Sequence, residues 1–249
     1  MEVAIDCSNG AASATAETLF TRLGAKCHIL SAEPDGVNIN AGCGSTHLER
    51  LQQYVKDHHL PMGVAFDGDA DRCLAVDETG SVVDGDAIMA ICAKEMADSG
   101  KLAQNTAVGT IMSNMGFSRF CSGNGLQFVA TNVGDRYVLE AMLKEGYNFG
   151  GEQSGHVIFL DHSTTGDGQL TAAKLLHIVH AKKATLSEIA GVMTKYPQVL
   201  LNVKVTNEGK AQFRSHQAIQ DQIEAVRQQL GEEGRILVRL SGTEPLVQK

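Results

Sequence analysis

Short apolar runs of strand character alternate with amphipathic helical stretches along most of this chain, and that alternation limits the fold more than any other feature. Val3–Asp6 leads through Asn9-Gly10 into a helical stretch that closes at Leu23, with Gly24 as its stop. Lys26–Leu30 reads as the next strand. Thr46 and Glu49 have the spacing of a capping box and predict a helix with Leu48, Leu51 and Val55 on one face. Gly63–Phe66 is a strand running into Asp67, and Asp86 is expected to cap a helix through Met96.

The theme then repeats. Ala107–Met112 and Gln127–Ala130 read as strands. Gly134–Lys144 reads as a helix with Val138, Leu139, Met142 and Leu143 inward, and Asp167–Lys182 as a longer one. Thr185 with Glu188 caps another. Strand–helix alternation implies an α/β fold, helices covering mixed, mostly parallel sheets. Past Pro197 the pattern changes. Val199–Val205 and Arg235–Leu240 alternate like strands around a helical Ser215–Leu230, a smaller α+β unit. The expected division is 1–100, 101–197 and 198–249. The first residues enter a strand almost at once and the last follow one closely, so the sequence reads as a piece of a longer protein.

Of 249 residues, 43% are hydrophobic and 20% charged, which argues against a disordered, collagen-like or coiled-coil chain. The net charge of −8 disfavours nucleic acid as a partner, because phosphate neutralisation needs surplus cations. A small phosphorylated ligand needs only a local cluster of Arg and Lys. No apolar run has the length of a membrane span. The six cysteines form no C-x-x-C pair and lie mostly in apolar runs, which predicts reduced, buried thiols and a cytoplasmic setting.

The chemistry concentrates in Asp67-Gly68-Asp69-Ala70-Asp71-Arg72, at the end of an apolar strand. In extended backbone, positions i, i+2 and i+4 share a side. At an effective dielectric of about 20, each close pair of like charges costs roughly 3–4 kcal/mol. A divalent cation removes that cost, and oxygen-only donors suit Mg²⁺ or Ca²⁺. Three other readings stand beside it. One is a solvated turn. Another is an EF-hand loop ending at Glu78, although Arg72 occupies its glycine place. The last is a phosphatase motif with Asp67 as nucleophile. Two further loops carry polar groups: Gly151–His156, where Glu152, Ser154 and His156 suit sugar hydroxyls, and Arg239–Pro245, which suits an anion. Asn132–Asp135 with Arg136 is another candidate. Neither Ser45-Thr46-His47 nor the pair His177 and His180 makes a convincing site, and nucleotide-binding motifs are missing.

Taken in order, Asp67–Arg72 (DGDADR), Gly151–His156 (GEQSGH) and Arg239–Pro245 (RLSGTEP) resemble the motifs of the α-D-phosphohexomutases. The segments Glu33–Asn40 (EPDGVNIN), Cys43–His47 (CGSTH), Val133–Val138 (VGDRYV) and Thr164–Gly168 (TTGDG) resemble its glucosamine-phosphate branch. The resemblance implies reversible transfer of phosphate between the 6- and 1-positions of a hexosamine phosphate, through a phosphoserine and a 1,6-bisphosphate. It implies Asp67, Asp69 and Asp71 as Mg²⁺ ligands and Arg72 beside the transferring phosphoryl. Glu152, Ser154 and His156 would sit at the sugar, with Arg136 also toward substrate, and Arg239, Ser241, Gly242 and Thr243 would clamp the second phosphate. No serine loop of the family's T/S-x-S-H-N type occurs, and Gln248 stands where the family usually has Arg. The chain therefore resembles the second and third α/β domains plus part of a fourth, and is expected to be inactive alone. A sister mutase for glucose or mannose phosphates and a non-catalytic binder of metal or sugar phosphate are the alternatives.

Overall fold

A computed structural model describes the whole chain except Leu200, Arg214, Glu232, residues 241–245 and Lys249. The described residues fall into two units, Met1–Lys195 and Tyr196–Lys249.

The first unit opens with β1 (Glu2–Asp6), α1 (Ala16–Arg22), β2 (Lys26–Leu30), α2 (Glu49–Asp57), β3 (Met62–Phe66), β4 (Cys73–Asp77) and β5 (Val82–Val83). These strands form one sheet in the order β2-β1-β3-β4-β5, with β1 parallel to β2 and β3, and β4 antiparallel to β3 and β5. Every residue of β3 is buried, which explains its continuous apolar run. Next come α3 (Gly85–Asp98), β6 (Thr106–Thr110), α4 (Met115–Gly123), β7 (Gln127–Thr131), α5 (Asp135–Glu145), β8 (Phe149–Gly151), β9 (Val157–Phe159), α6 (Gly168–Lys182) and α7 (Leu186–Ala190). The second sheet runs β7-β6-β8-β9, parallel except between β8 and β9.

One apolar core passes through both sheets. It joins Phe20 and Phe66 of the first half to Met89, Phe117, Phe149 and Leu175 of the second. Full burial of each such side chain contributes about 1.5–3 kcal/mol. Helix α3 is buried from Ile88 through Ala93 without a polar break, as befits a helix covered on all sides. Both sheets therefore share one continuously packed unit.

Several local expectations change. Thr46 does not cap α2. Residues 44–46 make a tight turn, and Leu48 precedes the helix without a side-chain cap. Gly44 explains this: it sits at φ +73°, and a Cβ there would lie 2.4 Å from Ser8 and 2.5 Å from the Phe66 carbonyl, so its segment is pressed onto β3. The cap of α3 is Asp84, which accepts from the Ala87 N–H, while Asp86 turns inward. Strand β6 stops at Thr110, whose hydroxyl accepts from the Met112 N–H and starts a turn. On α5 the inner face is Val138 and Met142, and Leu143 is 60% exposed. The capping box of α7 forms as expected, with Thr185 and Glu188 bonding reciprocally.

The second unit contains β10 (Asn202–Lys204), α8 (Asn207–Gln212), α9 (Gln217–Leu230), β11 (Arg239–Leu240) and β12 (Leu246–Gln248), in an antiparallel sheet β10-β12-β11. Its strands are shorter than the alternation predicts, and α8 is an additional element.

Candidate metal centre

The hairpin between β3 and β4 carries the acidic loop, with Phe66 paired to Cys73 at its base. The loop is not extended. Ala70 takes a left-handed φ of +61°, and its N–H donates to the Asp67 carbonyl at 3.1 Å. That turn gathers the carboxylates of Asp67, Asp69 and Asp71, whose oxygens lie within 4.8 Å of one another. Opposite ligands of a cation with 2.0–2.6 Å bonds are separated by about 4–5 Å, so one ion can bridge all of them. Asp71 Oδ1 is buried with no hydrogen-bond partner, a donor left over by the protein itself. The donor set is oxygen only, which fits a hard divalent cation.

The loop is held on several sides. Gly68 accepts from the Ala11 N–H at 2.8 Å, and a Cβ on Gly10 would lie 2.3 Å from the Gly68 carbonyl. Ala70 accepts from the Gly168 N–H at 2.9 Å, at the start of α6. A Cβ on Gly168 would lie 2.4 Å from the Arg72 carbonyl, so only glycine permits this approach. The Cys73 N–H donates to Gly155 at 3.0 Å, and Arg72 and His156 form a backbone bridge.

Charge in the loop is uneven. Burial pushes the Asp67 carboxyl up to about 6, against the Arg72 N–H and with help from the Asp71 and Asp69 charges. Burial also acts on Asp71, but bonds to Asp67 and His156 hold it below the usual carboxylate range. The Arg72 backbone N–H donates to Asp67 Oδ1 at 3.1 Å, and its half-exposed guanidinium stands 3.6 Å from Oδ2.

His156 joins this cluster from the glycine-rich loop between β8 and β9. Its Nδ1 lies 2.8 Å from Asp71 Oδ2, and its Nε2 accepts from the Gly166 N–H at 3.0 Å. In the same loop Glu152 Oε1 accepts from the Gly134 N–H at 3.0 Å, and the Ser154 hydroxyl is 3.5 Å from Oε2. Arg136 is on the exposed face of α5, paired with Glu140 at 2.8 Å. Arg239 is on β11 of the second unit. Ser241, Gly242 and Thr243 lie outside the described residues.

The EF-hand alternative loses its basis. Strands, not helices, flank the acidic loop, and Glu78 accepts from the backbone N–H and the hydroxyl of Ser187, so it does not close an EF-hand. All six cysteines are free and five are buried. Burial pushes Cys7, Cys92 and Cys121 up to about 12, which suppresses thiolate. Among the described residues, no helix is long and apolar enough to cross a membrane. Sequence reasoning missed Gly166 and Gly168 as supports of the loop. Their signal was the closely spaced glycines immediately before a helix.

Profiles of the phosphoglucomutase/phosphomannomutase family match three stretches: alpha/beta/alpha domain II at residues 1–80, alpha/beta/alpha domain III at 84–196, and the C-terminal domain at 200–248. Phosphoglucosamine mutases of Clostridium acetobutylicum and Ruminiclostridium cellulolyticum are 53% and 54% identical over 247 residues. Those alignments cover 99% of this chain and 55% of each relative, so the chain spans about half their length. Among solved structures, a phosphoglucomutase/phosphomannomutase family protein of Burkholderia thailandensis superposes with a TM-score of 0.80 at 21% identity, covering 100% of this chain and 55% of that one. Aspergillus fumigatus N-acetylphosphoglucosamine mutase, in complex with GlcNAc-6P and magnesium, gives 0.78 at 21%, covering 99% and 61%. At that identity the superpositions speak for the fold.

Proposed function

Since the chain belongs to the phosphoglucomutase/phosphomannomutase family, we propose that it forms the metal- and sugar-binding part of a mutase interconverting glucosamine 6-phosphate and glucosamine 1-phosphate. The observation that carries this is the convergence of Asp67, Asp69 and Asp71 on one centre. Identity above 50% to phosphoglucosamine mutases favours the amino sugar over glucose or mannose phosphates.

In this reading a phosphoserine supplied from outside these residues gives its phosphoryl to a sugar hydroxyl, whose proton ends on the freed serine oxygen. The 1,6-bisphosphate turns over and returns its other phosphoryl to the serine. Asp67, Asp69 and Asp71 would hold Mg²⁺, which when bound supplies positive charge to the transferring phosphoryl. Arg72 adds its guanidinium from the same loop. Glu152, anchored by the Gly134 N–H, and Ser154 would orient sugar hydroxyls. Arg136 would have to leave Glu140 to reach substrate. Arg239, Ser241, Gly242 and Thr243 are proposed as the clamp on the non-reacting phosphate. The division at 1–100, 101–197 and 198–249 belongs to the same proposal, supported by a separate sheet in each stretch. A cytoplasmic setting is supported by the free, buried thiols.

A chimera tests the reading. These residues replace the matching region of the Clostridium acetobutylicum enzyme, and turnover is measured on the three hexose 6-phosphates. Preference for glucosamine 6-phosphate by about tenfold or more supports the proposal. Preference for glucose or mannose phosphate moves the chain to a sister activity. A folded chimera that binds Mg²⁺ but turns over nothing makes it a non-catalytic binder. The 249-residue chain alone is expected to show no turnover.

A further inference from the structure

We infer that Asp6 is a positioning residue for the acidic loop: from the end of β1 it holds the turn that fixes the Gly68 carbonyl between Asp67 and Asp69. The inference rests on the cation reading above and assigns Asp6 a role within it.

Asp6 is fully buried at the last position of β1, paired in parallel register with Ala65 of β3, so the segments leaving the two strands start side by side. A tight turn follows, closed by the Gly10 N–H on the Cys7 carbonyl at 2.8 Å. Both of its central residues are left-handed, Ser8 at φ +53° and Asn9 at φ +50°. Such positions suit Gly, Asn or Asp, and Ser8 is none of these, so the surroundings must hold it there. Asp6 does so, because its Oδ1 accepts from the Ser8 N–H at 2.9 Å. Asp6 Oδ2 is buried without a partner, so the carboxylate acts through Oδ1 alone.

The turn reaches the acidic loop from two sides. Directly, it delivers Gly10 and Ala11 onto Gly68: the Ala11 N–H donates to the Gly68 carbonyl at 2.8 Å, and a Cβ on Gly10 would collide with that same carbonyl. Indirectly, it anchors the segment on the other side of Gly68. The Ser8 carbonyl accepts from the Asn40 N–H at 2.9 Å, and Asn9 Oδ1 accepts from the Glu33 N–H at 3.1 Å. A Cβ on Gly68 would lie 2.7 Å from Ile39 and 2.9 Å from the Asn40 amide. Gly68 is therefore enclosed by two segments that depend on one turn. Its peptide links Asp67 to Asp69, so a shift there moves both carboxylates. Holding that peptide sets their spacing before the ion arrives.

Asp6→Asn keeps the Oδ1 acceptor, and its amide nitrogen replaces an oxygen that bonds nothing. Asp6→Ala removes the acceptor. Ala11→Pro deletes the N–H that holds Gly68, at the first position of a short helix, where proline is tolerated. Val138→Ala, in the core beside the second sheet, is the control for lost stability alone. Mn²⁺ titration of the 249-residue chain, with Mg²⁺ as competitor, reads the effect directly. Asp6→Ala and Ala11→Pro should weaken binding by about 10–100-fold, while Asp6→Asn and Val138→Ala should stay within about threefold of wild type. Thermal unfolding without metal shows which variants are folded, and if Asp6→Ala is not, Ala11→Pro and Asp6→Asn decide. The inference fails if Ala11→Pro binds like wild type, or if a folded Asp6→Ala loses no more affinity than Val138→Ala. It also fails if Asp6→Asn binds as weakly as Ala11→Pro, because the charge and not the hydrogen bond would then matter. A wild-type chain that binds no Mn²⁺ at all overturns the cation reading, and this inference with it.

Discussion

Asp67 and Asp86 are both buried carboxylates in the same unit, and their neighbours put them to opposite uses. Burial pushes both up, Asp67 to about 6 and Asp86 to about 7. Asp67 shares its site with two more carboxylates, one of them exposed, and the single charge of Arg72 leaves a net negative centre that an external cation would relieve. Asp86 faces the backbone of the loop after β6, accepting from the Asn114 N–H at 2.6 Å, with Asp84 and Lys195 paired close by. The protein relieves it in part: Oδ2 is bonded and Lys195 offsets the Asp84 charge, while Oδ1 is buried without a partner. The lesson is that a raised carboxylate marks a ligand site where several carboxylates converge on one centre, whereas the single acidic neighbour of Asp86 is already paired with Lys195.

The sharpest break of this contrast is removal of ligand charge. Asp67→Asn should lower Mn²⁺ or Mg²⁺ affinity by about 100-fold or more, measured by calorimetry, whereas Asp86→Asn should change it little. The pH dependence follows the same line. Because Asp67 must lose its proton to bind, affinity should fall by up to about tenfold per pH unit below about 6 and level off above it. A cation affinity equal at pH 5 and pH 7 would remove Asp67 from the ligand set.

Asp86 gives the next largest effect, on stability and not on binding. Its folded-state value lies above the ordinary 3.8, so the protonated form favours the fold. That contribution is complete below about pH 4 and is lost as pH rises through about 7, at most roughly 4 kcal/mol. Asp86→Asn cannot ionise and should flatten the dependence of the denaturation midpoint between pH 4 and pH 7. Asp86→Ala should cost about 1–3 kcal/mol more, because it leaves the Asn114 N–H without its acceptor. An unchanged pH profile in Asp86→Asn would show that the slope comes from other carboxylates.

What could be read from the sequence divides along the same boundary. The acidic loop was legible because its charges are adjacent in the chain and follow an apolar strand. The cap of α7 was legible because Thr185 and Glu188 are three residues apart. The tie between His156 and Asp71 spans 85 positions and that between Asp86 and Asn114 spans 28, and no local spacing announces either. Asp86 was expected to cap α3 because it is an acidic residue near a helix start. Asp84 takes that place because Gly85 is packed against the Glu152–Gly155 backbone, with its N–H on the Gln153 carbonyl. Thr46 failed as a cap for a similar reason, since contacts with Ser8 and Phe66 fix its segment. In each case a distant backbone contact overrode a sound local preference.

The backbone clamps supply the next test. Gly168→Ala would place a methyl 2.4 Å from the Arg72 carbonyl, a contact with backbone that cannot rotate away. It should destabilise the fold by about 1–3 kcal/mol and weaken cation binding with it, since the shift acts on the segment carrying Asp71. If stability falls while affinity holds, the acidic loop takes its shape independently of α6.

The smallest effect sharpens the comparison from inside the loop. Ala70 is the left-handed residue between Asp69 and Asp71, a conformation that disfavours any side chain by about 1–2 kcal/mol. Glycine would relieve that strain. It would also add unfolded-chain entropy worth about 0.4–1 kcal/mol and remove a buried methyl worth about 0.8 kcal/mol. These terms nearly cancel, so Ala70→Gly should shift stability by less than about 1 kcal/mol. Cation affinity should stay within about twofold, because the bonds to Gly168 and Asp67 hold the turn in either variant. A larger loss of affinity, measured by the same Mn²⁺ titration, would mean that the alanine side chain holds the carboxylates together and the surrounding backbone does not.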